Sequence, residues 1–386
     1  MPGHHALVFG ASGVSGWAIT SQALQFPSNN TFSQVTALTN RPLSIEGSKL
    51  PQDDRLELVS GIDLTGSVES IVSGLKSKVK DVSSVSHVFF TAYIEKPSYP
   101  ELVEINKRLV SNAISAISKV AGSSLKAVIL QTGGKHYGVE FADKVNIQPP
   151  LKADAARIPS PIGDNIFYYN QYDVISDLRK GHSWNFYEVR PDVIVGFTPG
   201  SNFMNISQGL GFYFTLYRAV HGAGAEVPFV GTQKSWVNKH TDTFQDILAQ
   251  QEIHISLNEN NIPSGKSFNA ANGDVTTWSD KWPALASYFG LNGVGPGSAE
   301  VDTAAFAQKH TEEWKKLERE HSLKPGIFEK YSWGFIKGVC VLFDFDRHYD
   351  LSETRNVGFN ETIDTVKGYT TAFDRMRDAK ILPTLD

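Results

Sequence analysis

Over the first two hundred residues, short apolar runs alternate with stretches whose apolar positions recur at helical spacing. Ala6–Phe9 is one such run, Val35–Leu38 a second, Leu56–Val59 a third, Ser86–Thr91 a fourth and Ala127–Leu130 a fifth. Runs this short, bounded by turn residues and without polar alternation, read as strands covered on both faces. Between them the spacing is helical: through about Leu24 after a glycine-rich turn, and from about Tyr99 to Val120, where Leu102, Ile105, Leu109, Ala113 and Ile117 share a face. A helix over about Tyr168–Lys180 and a strand over Asn185–Val189 follow. Short strands separated by helices imply an α/β chain with a Rossmann-type doubly wound parallel sheet, which binds ligands at the carboxyl ends of its strands.

The pattern changes after about Gly200. Helices are expected over Phe203–Val220, Thr241–Leu257, Trp278–Phe289, Thr303–His321 and Glu361–Asp378, and Ser267–Ala270 reads as a strand returning to the sheet edge. The chain thus divides into a sheet-bearing domain over 1–200, with a returning segment near 265–275, and a mainly helical region over 201–386.

Gly10-Ala-Ser12-Gly13-Val14-Ser-Gly16 follows the first strand and opens the first helix. Glycines let backbone approach a pyrophosphate, and the helix start offers free N–H groups to it. The domain over 1–200 is therefore read as dinucleotide-binding, with Gly10, Ser12, Gly13, Val14 and Gly16 at the phosphates. The Gly-x-x-Gly-x-x-Gly spacing resembles that of the extended short-chain dehydrogenases/reductases. The second strand ends Leu38-Thr39-Asn40-Arg41, and no acid follows until Glu46. A carboxylate here would hold a ribose 2′-hydroxyl, whereas Asn40 and Arg41 suit a 2′-phosphate, so the expected cofactor is NADP or NADPH. Asp63 and Leu64, after the third strand, stand where the adenine is contacted; Asp63 reads equally well as a local cap.

Composition narrows the class. Of 386 residues, 41% are hydrophobic and 20% charged, and the net charge of −5 argues against a nucleic-acid partner. A single cysteine, Cys340, forms no intramolecular disulfide and fits a reducing compartment, and no metal site is expected. No apolar run reaches transmembrane length and no secretory signal is read at the start, so a cytoplasmic protein without a membrane partner is expected. The oligomeric state stays open, a homodimer included.

No tyrosine in the chain has a lysine four residues later, so the Tyr-x-x-x-Lys pair of typical short-chain dehydrogenases is absent. Two segments supply the same residue types: Leu130-Gln-Thr132-Gly133-Gly-Lys135-His136-Tyr137 after the fifth strand, and Asn165-Ile-Phe-Tyr168-Tyr169 entering a helix. Both resemble segments of the progesterone 5β-reductase/iridoid synthase-like family, whose lysine lies in a Lys-His-Tyr loop and whose tyrosine opens a Tyr-Tyr pair. The resemblance continues through Val189-Arg190-Pro191, Gly196-Phe197-Thr198-Pro199, Met204-Asn205, Asn269–Asp274 with Trp278, and Lys380–Pro383. Gly134, Gly138, Ile166 and Gln171-Tyr172-Asp173 depart from the family pattern.

The resemblance implies Tyr168 and Lys135 as the catalytic pair of an NADPH-dependent reductase acting on the C=C bond of an α,β-unsaturated carbonyl. A tyrosine hydroxyl donates to the oxygen where charge develops, and a nearby ammonium is expected to lower the phenol's pKa. Thr91, Ala92, Tyr93, Thr132, Gly133, Pro191, Val193 and Ile194 are expected along the cofactor, with Tyr93, Phe203 and Met204 at a small apolar carbonyl substrate. Phe212 and Phe214 read as further substrate wall or as core, and His136 as a packed residue or a proton relay. A ketone or aldehyde reductase, a non-redox epimerase or cyclase, and an NADP-binding sensor are the alternatives.

Overall fold

The computed structural model describes residues 3–202 and 204–384. Its strands are His4–Phe9 (β1), Phe32–Thr39 (β2), Leu56–Ser60 (β3), His87–Phe90 (β4), Ala127–Gln131 (β5), Asn185–Pro191 (β6), Ile194–Val195 (β7), Glu226–Pro228 (β8), Thr243–Phe244 (β9), Ser267–Ala270 (β10) and Asn292–Val294 (β11). Its helices are Val14–Ala23 (α1), Ile45–Ser48 (α2), Val68–Lys78 (α3), Tyr99–Ala121 (α4), Phe167–Arg179 (α5), Ile206–His221 (α6), Gln233–Val237 (α7), Gln245–Ser256 (α8), Trp278–Tyr288 (α9), Thr303–Lys309 (α10), Thr311–His321 (α11), Gly334–Lys337 (α12), Ser352–Asn356 (α13) and Thr365–Asp378 (α14).

Among the described residues, seven strands pair in parallel in the order β10-β6-β5-β4-β1-β2-β3. The order reverses between β1 and β4, which opens a crevice at their carboxyl ends. Both sheet faces are buried, as unalternating strands require. Ala6 and Val8 of β1 enter one core with Trp17 of α1 and Leu248 of α8; Leu7 and Phe9 enter the other with Leu75 of α3, Leu109 of α4 and Ile175 of α5. One face is therefore covered by a helix from each half of the chain, and Gln250 of α8 donates to Gln22 of α1 at 3.0 Å.

Several bounds differ from the sequence expectation for local reasons. β6 runs on to Pro191 because β10 pairs with it there, Asn269 opposite Arg190 and Ala270 opposite Pro191, so this Arg-Pro pair lies in the sheet. The helix expected from Thr241 begins at Gln245, since Thr243 and Phe244 form a ladder with β7. The helix expected from Phe203 begins at Ile206, where Asn205 caps it by accepting from the Gln208 amide; Phe203 lies outside the described residues. Thr303–His321 is two helices. The Thr311 hydroxyl donates to the Gln308 carbonyl at 2.9 Å and lies 3.2 Å from that of Ala307, and beyond the break at His310 Trp314 stacks on Phe328 at 4.4 Å. The last helix starts at Thr365, capped by Asp364, and not at Glu361. Among the described residues no helix is long and apolar enough to cross a membrane.

Candidate active site

β1 delivers the chain to the crevice at Gly10, whose φ is +90°. A Cβ there would lie 2.8 Å from Thr91 Oγ1 and 2.9 Å from the Ala92 amide nitrogen, so only glycine lets β1 and β4 end this close together. Gly16 packs α1 onto the same turn, where a Cβ would meet Ala11 Cα at 2.8 Å. Gly13 is the N-cap of α1 and makes no side-chain cap, which leaves the helix-start N–H groups to a ligand. Val14 is buried, Ser12 is exposed, and Gln131 of β5 donates to Ser15 Oγ at 2.8 Å. Asn202 is a residue that sequence reasoning missed: its Nδ2 would lie 3.9 Å from a Cβ on Gly13, while its Oδ1 accepts from the Met204 amide at 3.0 Å. This glycine turn at an uncapped helix start, with the Asn202 amide beside it, fits a pyrophosphate.

At the other end of the crevice, Thr39 donates to the Arg41 carbonyl at 2.7 Å, and Asn40 and Arg41 are exposed. A cavity of about 420 Å³ lies beside them between Thr39, Pro42, Ser44, Leu58 and Ser60. Asp63 accepts from the Thr65 amide and hydroxyl at 2.8 and 2.7 Å through Oδ1, while Ser67 caps α3. Asp63 thus closes its own turn with Thr65, and Ser67 is the cap of α3. The Leu64 carbonyl accepts from Asn112 at 3.0 Å.

The lysine loop and the tyrosine helix meet beyond β5. Tyr168 is half-buried on the first turn of α5, and its hydroxyl would lie 3.4 Å from a Cβ on Gly133. No hydrogen bond to that hydroxyl is formed by the described residues. Its neighbour Tyr169 is fully committed: its hydroxyl donates to the His136 carbonyl at 2.6 Å and accepts from the Ile158 amide at 2.9 Å. Tyr169 therefore ties α5 to the loop that carries Lys135, and Tyr168 is left facing the crevice. Tyr137 is equally committed, donating to Asn269 Oδ1. Tyr93 packs on Phe167 with ring centroids 5.6 Å apart and donates to Glu95.

Lys135 lies 5.8 Å from the centre of the Phe167 ring and pairs with Glu140 at 2.8 Å. The expected lowering of the Tyr168 pKa is not found. Burial pushes the phenol up, and the charges of Glu140 and Glu188 add to that push. The hydroxyl is therefore protonated at neutral pH, a donor and not a phenolate.

Behind the pair lies a buried polar group. Glu188 and Arg190 pair at 2.6 Å, and Ser267 joins both. Burial raises the Glu188 carboxyl, but Arg190 outweighs it and holds the group at about 2. Thr132 donates to Glu188 Oε1 at 2.7 Å, which turns its hydroxyl away from the crevice and leaves its backbone there. His136 is edge-on to Tyr137 and Tyr169, with Nε2 3.4 Å from the Ala155 carbonyl, and burial lowers its pKa to about 4. It is a packed, neutral imidazole. Glu188 was legible only as a polar partner two residues before Arg190 in an apolar strand.

Tyr349, also missed, donates to the Pro191 carbonyl at 3.2 Å. Val193 is held at both ends, its amide by Asp192 Oδ1 and its carbonyl by the Thr243 amide, and Ile194 pairs with Thr243 in the ladder of β7 and β9. Met204 is placed through Asn202 on the phosphate side of the crevice. Phe212 and Phe214 correct one reading: both are fully buried, among Trp314, Phe328, Trp282 and Phe289, and belong to the core.

A family model described as the PRISE-like Rossmann-fold domain matches residues 6–383. The chain is 37% identical to the short chain dehydrogenase sirQ of Leptosphaeria maculans over 388 residues, covering 99% of this chain and 98% of that protein. It is 27% identical to the 3-oxo-Delta(4,5)-steroid 5-beta-reductase of Arabidopsis thaliana over 316 residues, 80% of this chain and 77% of that one. Among solved structures, the GDP-mannoheptose C4 reductase from Campylobacter jejuni with NADP bound has a TM-score of 0.60 at 14% identity, covering 97% and 98% of the two chains. That last likeness is one of fold.

Proposed function

The chain belongs to the PRISE-like Rossmann-fold family of short-chain dehydrogenases/reductases, and on that premise we propose that it is an NADPH-dependent reductase of an α,β-unsaturated carbonyl compound. The observation that carries the proposal is the Tyr168 hydroxyl, without a hydrogen-bond partner among the described residues, beside Gly133 at the carboxyl edge of the sheet with Lys135 in the adjoining loop.

Bound NADPH would supply the hydride. The turn Gly10–Gly16 and Asn202 would hold its pyrophosphate, Asn40 and Arg41 its 2′-phosphate, and Thr132, Gly133, Pro191, Val193 and Ile194 would flank its nicotinamide. Tyr168 donates a hydrogen bond to the substrate's carbonyl oxygen and stabilises the negative charge that grows there as the conjugated double bond is reduced. Delivery of the Tyr168 proton to that oxygen completes the enol, which reverts to the saturated carbonyl in water. Lys135 joins Tyr168 from the adjoining loop, where its ammonium is paired with Glu140. Tyr93 and Phe167 give this end of the crevice an aromatic wall suited to a small apolar carbonyl compound.

Arg41→Ala should raise the KM for NADPH roughly 10- to 100-fold, the loss of a charge-assisted contact, and leave that for NADH near its starting value. Initial rates with both cofactors check this; equal changes would remove Arg41 from the 2′-phosphate site.

The function is tested by incubating the protein with NADPH and a panel of enals, enones and the matching saturated ketones, with product identification. Saturated carbonyl products that vanish with Tyr168→Phe support the reading. Alcohol products would replace it with carbonyl reduction on the same residues, and tight NADPH binding without turnover of any panel member would overturn it.

A further inference from the structure

The Tyr168–Lys135 pair, taken from the function proposed above, has a third member. Glu140 stands five residues after Lys135, in a short helical turn over Val139–Phe141 that directly continues the lysine loop. Its carboxylate meets the ammonium at 2.8 Å, with the two side chains 21% and 31% exposed for Lys135 and Glu140. That exposure is low enough for the charges to act on each other and on their neighbours. The loop is fixed on both sides of the pair: the Gly138 amide donates to the Lys135 carbonyl at 3.0 Å, and the Phe141 amide to the Gly138 carbonyl at 2.8 Å. Gly138 makes this reversal at φ +74°, and a Cβ there would press on Val145 at 3.2 Å.

We propose that Glu140 is a positioning residue of the active site, which anchors the Lys135 ammonium beside Phe167, the residue before Tyr168, and cancels its charge there. The consequence is a site in which the tyrosine acts as a neutral hydroxyl. The groups facing Tyr168 account for this. Glu140 and Glu188 disfavour the phenolate, and Glu188 is itself tied to Arg190. Lys135, in the adjoining loop, is held by Glu140, and Tyr93 and Tyr349 are phenols whose pKa burial raises. Removing the Glu140 charge both withdraws a destabilising anion and releases an ammonium, and the two effects act in the same direction on the phenol. Its pKa falls, so the protonated donor is lost at lower pH.

Two measurements test this on the full-length protein. The first is the pH profile of kcat with whichever panel substrate turns over. Glu140→Gln should move the alkaline limb to lower pH by about one unit or more, and Glu140→Asp, which keeps the charge, should restore most of the wild-type limb. The second needs no turnover: tyrosinate absorbance is followed against pH, and the Tyr168 signal is isolated by subtracting the Tyr168→Phe trace in each background. That signal should emerge at lower pH with Glu140→Gln than without it. An unshifted signal would overturn the role of Glu140 whatever the protein reduces. A shifted signal with no enone turnover would leave that role standing and remove only the functional reading.

Discussion

Tyr168→Phe should lower kcat about a hundred- to ten-thousand-fold, the range for loss of a positioned proton donor, and leave NADPH affinity and melting temperature close to wild type. The asymmetry comes from the hydrogen bonds. The Tyr168 hydroxyl has no partner among the described residues, so removing it strands nothing in the folded protein. Tyr169→Phe is the control with the opposite signature. It deletes the bonds to the His136 carbonyl and the Ile158 amide, and it should cost stability through these two unsatisfied backbone groups. Rates and thermal melts on the two variants separate the roles; a Tyr168→Phe protein with wild-type kcat would end the assignment.

The largest loss of stability is expected at Arg190. Arg190→Met leaves the Glu188 carboxylate buried without its cation, and breaking such a pair costs about 3–5 kcal/mol. The Glu188 pKa is depressed in the folded state, so the pair contributes stability above the ordinary glutamate range and loses it as pH falls toward about 2. The variant should therefore be most destabilised relative to wild type at neutral pH and less so in acid. The double variant Glu188→Gln with Arg190→Met should recover part of the loss, since no buried charge is left unpaired. Chemical denaturation at two pH values measures both statements. A single variant as stable as wild type would mean that the buried carboxylate takes up a proton at no cost. Thr132, bonded to Glu188, links this pair to the start of the lysine loop, so a drop in kcat should accompany the loss of stability.

The features legible in the sequence were those written locally. The strand β1, the glycines at 10, 13 and 16 and the basic end of β2 each lie within a few residues, and their spacing alone states what the backbone must do there. The return of Ser267–Ala270 to the sheet edge was legible from four residues of strand character. Pairings between distant segments were not. Asn202 reaches the phosphate turn, Tyr349 reaches Pro191 and Glu188 holds Thr132, and no periodicity within any of these segments names its partner. The Tyr168–Tyr169 ambiguity had the same origin: adjacent tyrosines on one helix differ only in what lies opposite them. The expected effect of Lys135 on Tyr168 failed because burial of the phenol, with the charges of Glu140 and Glu188 added to it, depends on packing between distant segments that the local motifs do not state.

The position of β10 bears on how the polypeptide matures as it is made. β6 emerges from the ribosome with one edge unpaired, and its partner follows only after α6, α7 and α8 have been synthesised. During that interval the nascent sheet exposes a row of free N–H and C=O groups beside Arg190, a template for pairing with other chains. The buried cation and its carboxylate also stand half-solvated until Ser267 arrives. Release of the chain before residue 270 would thus yield a species prone to aggregate.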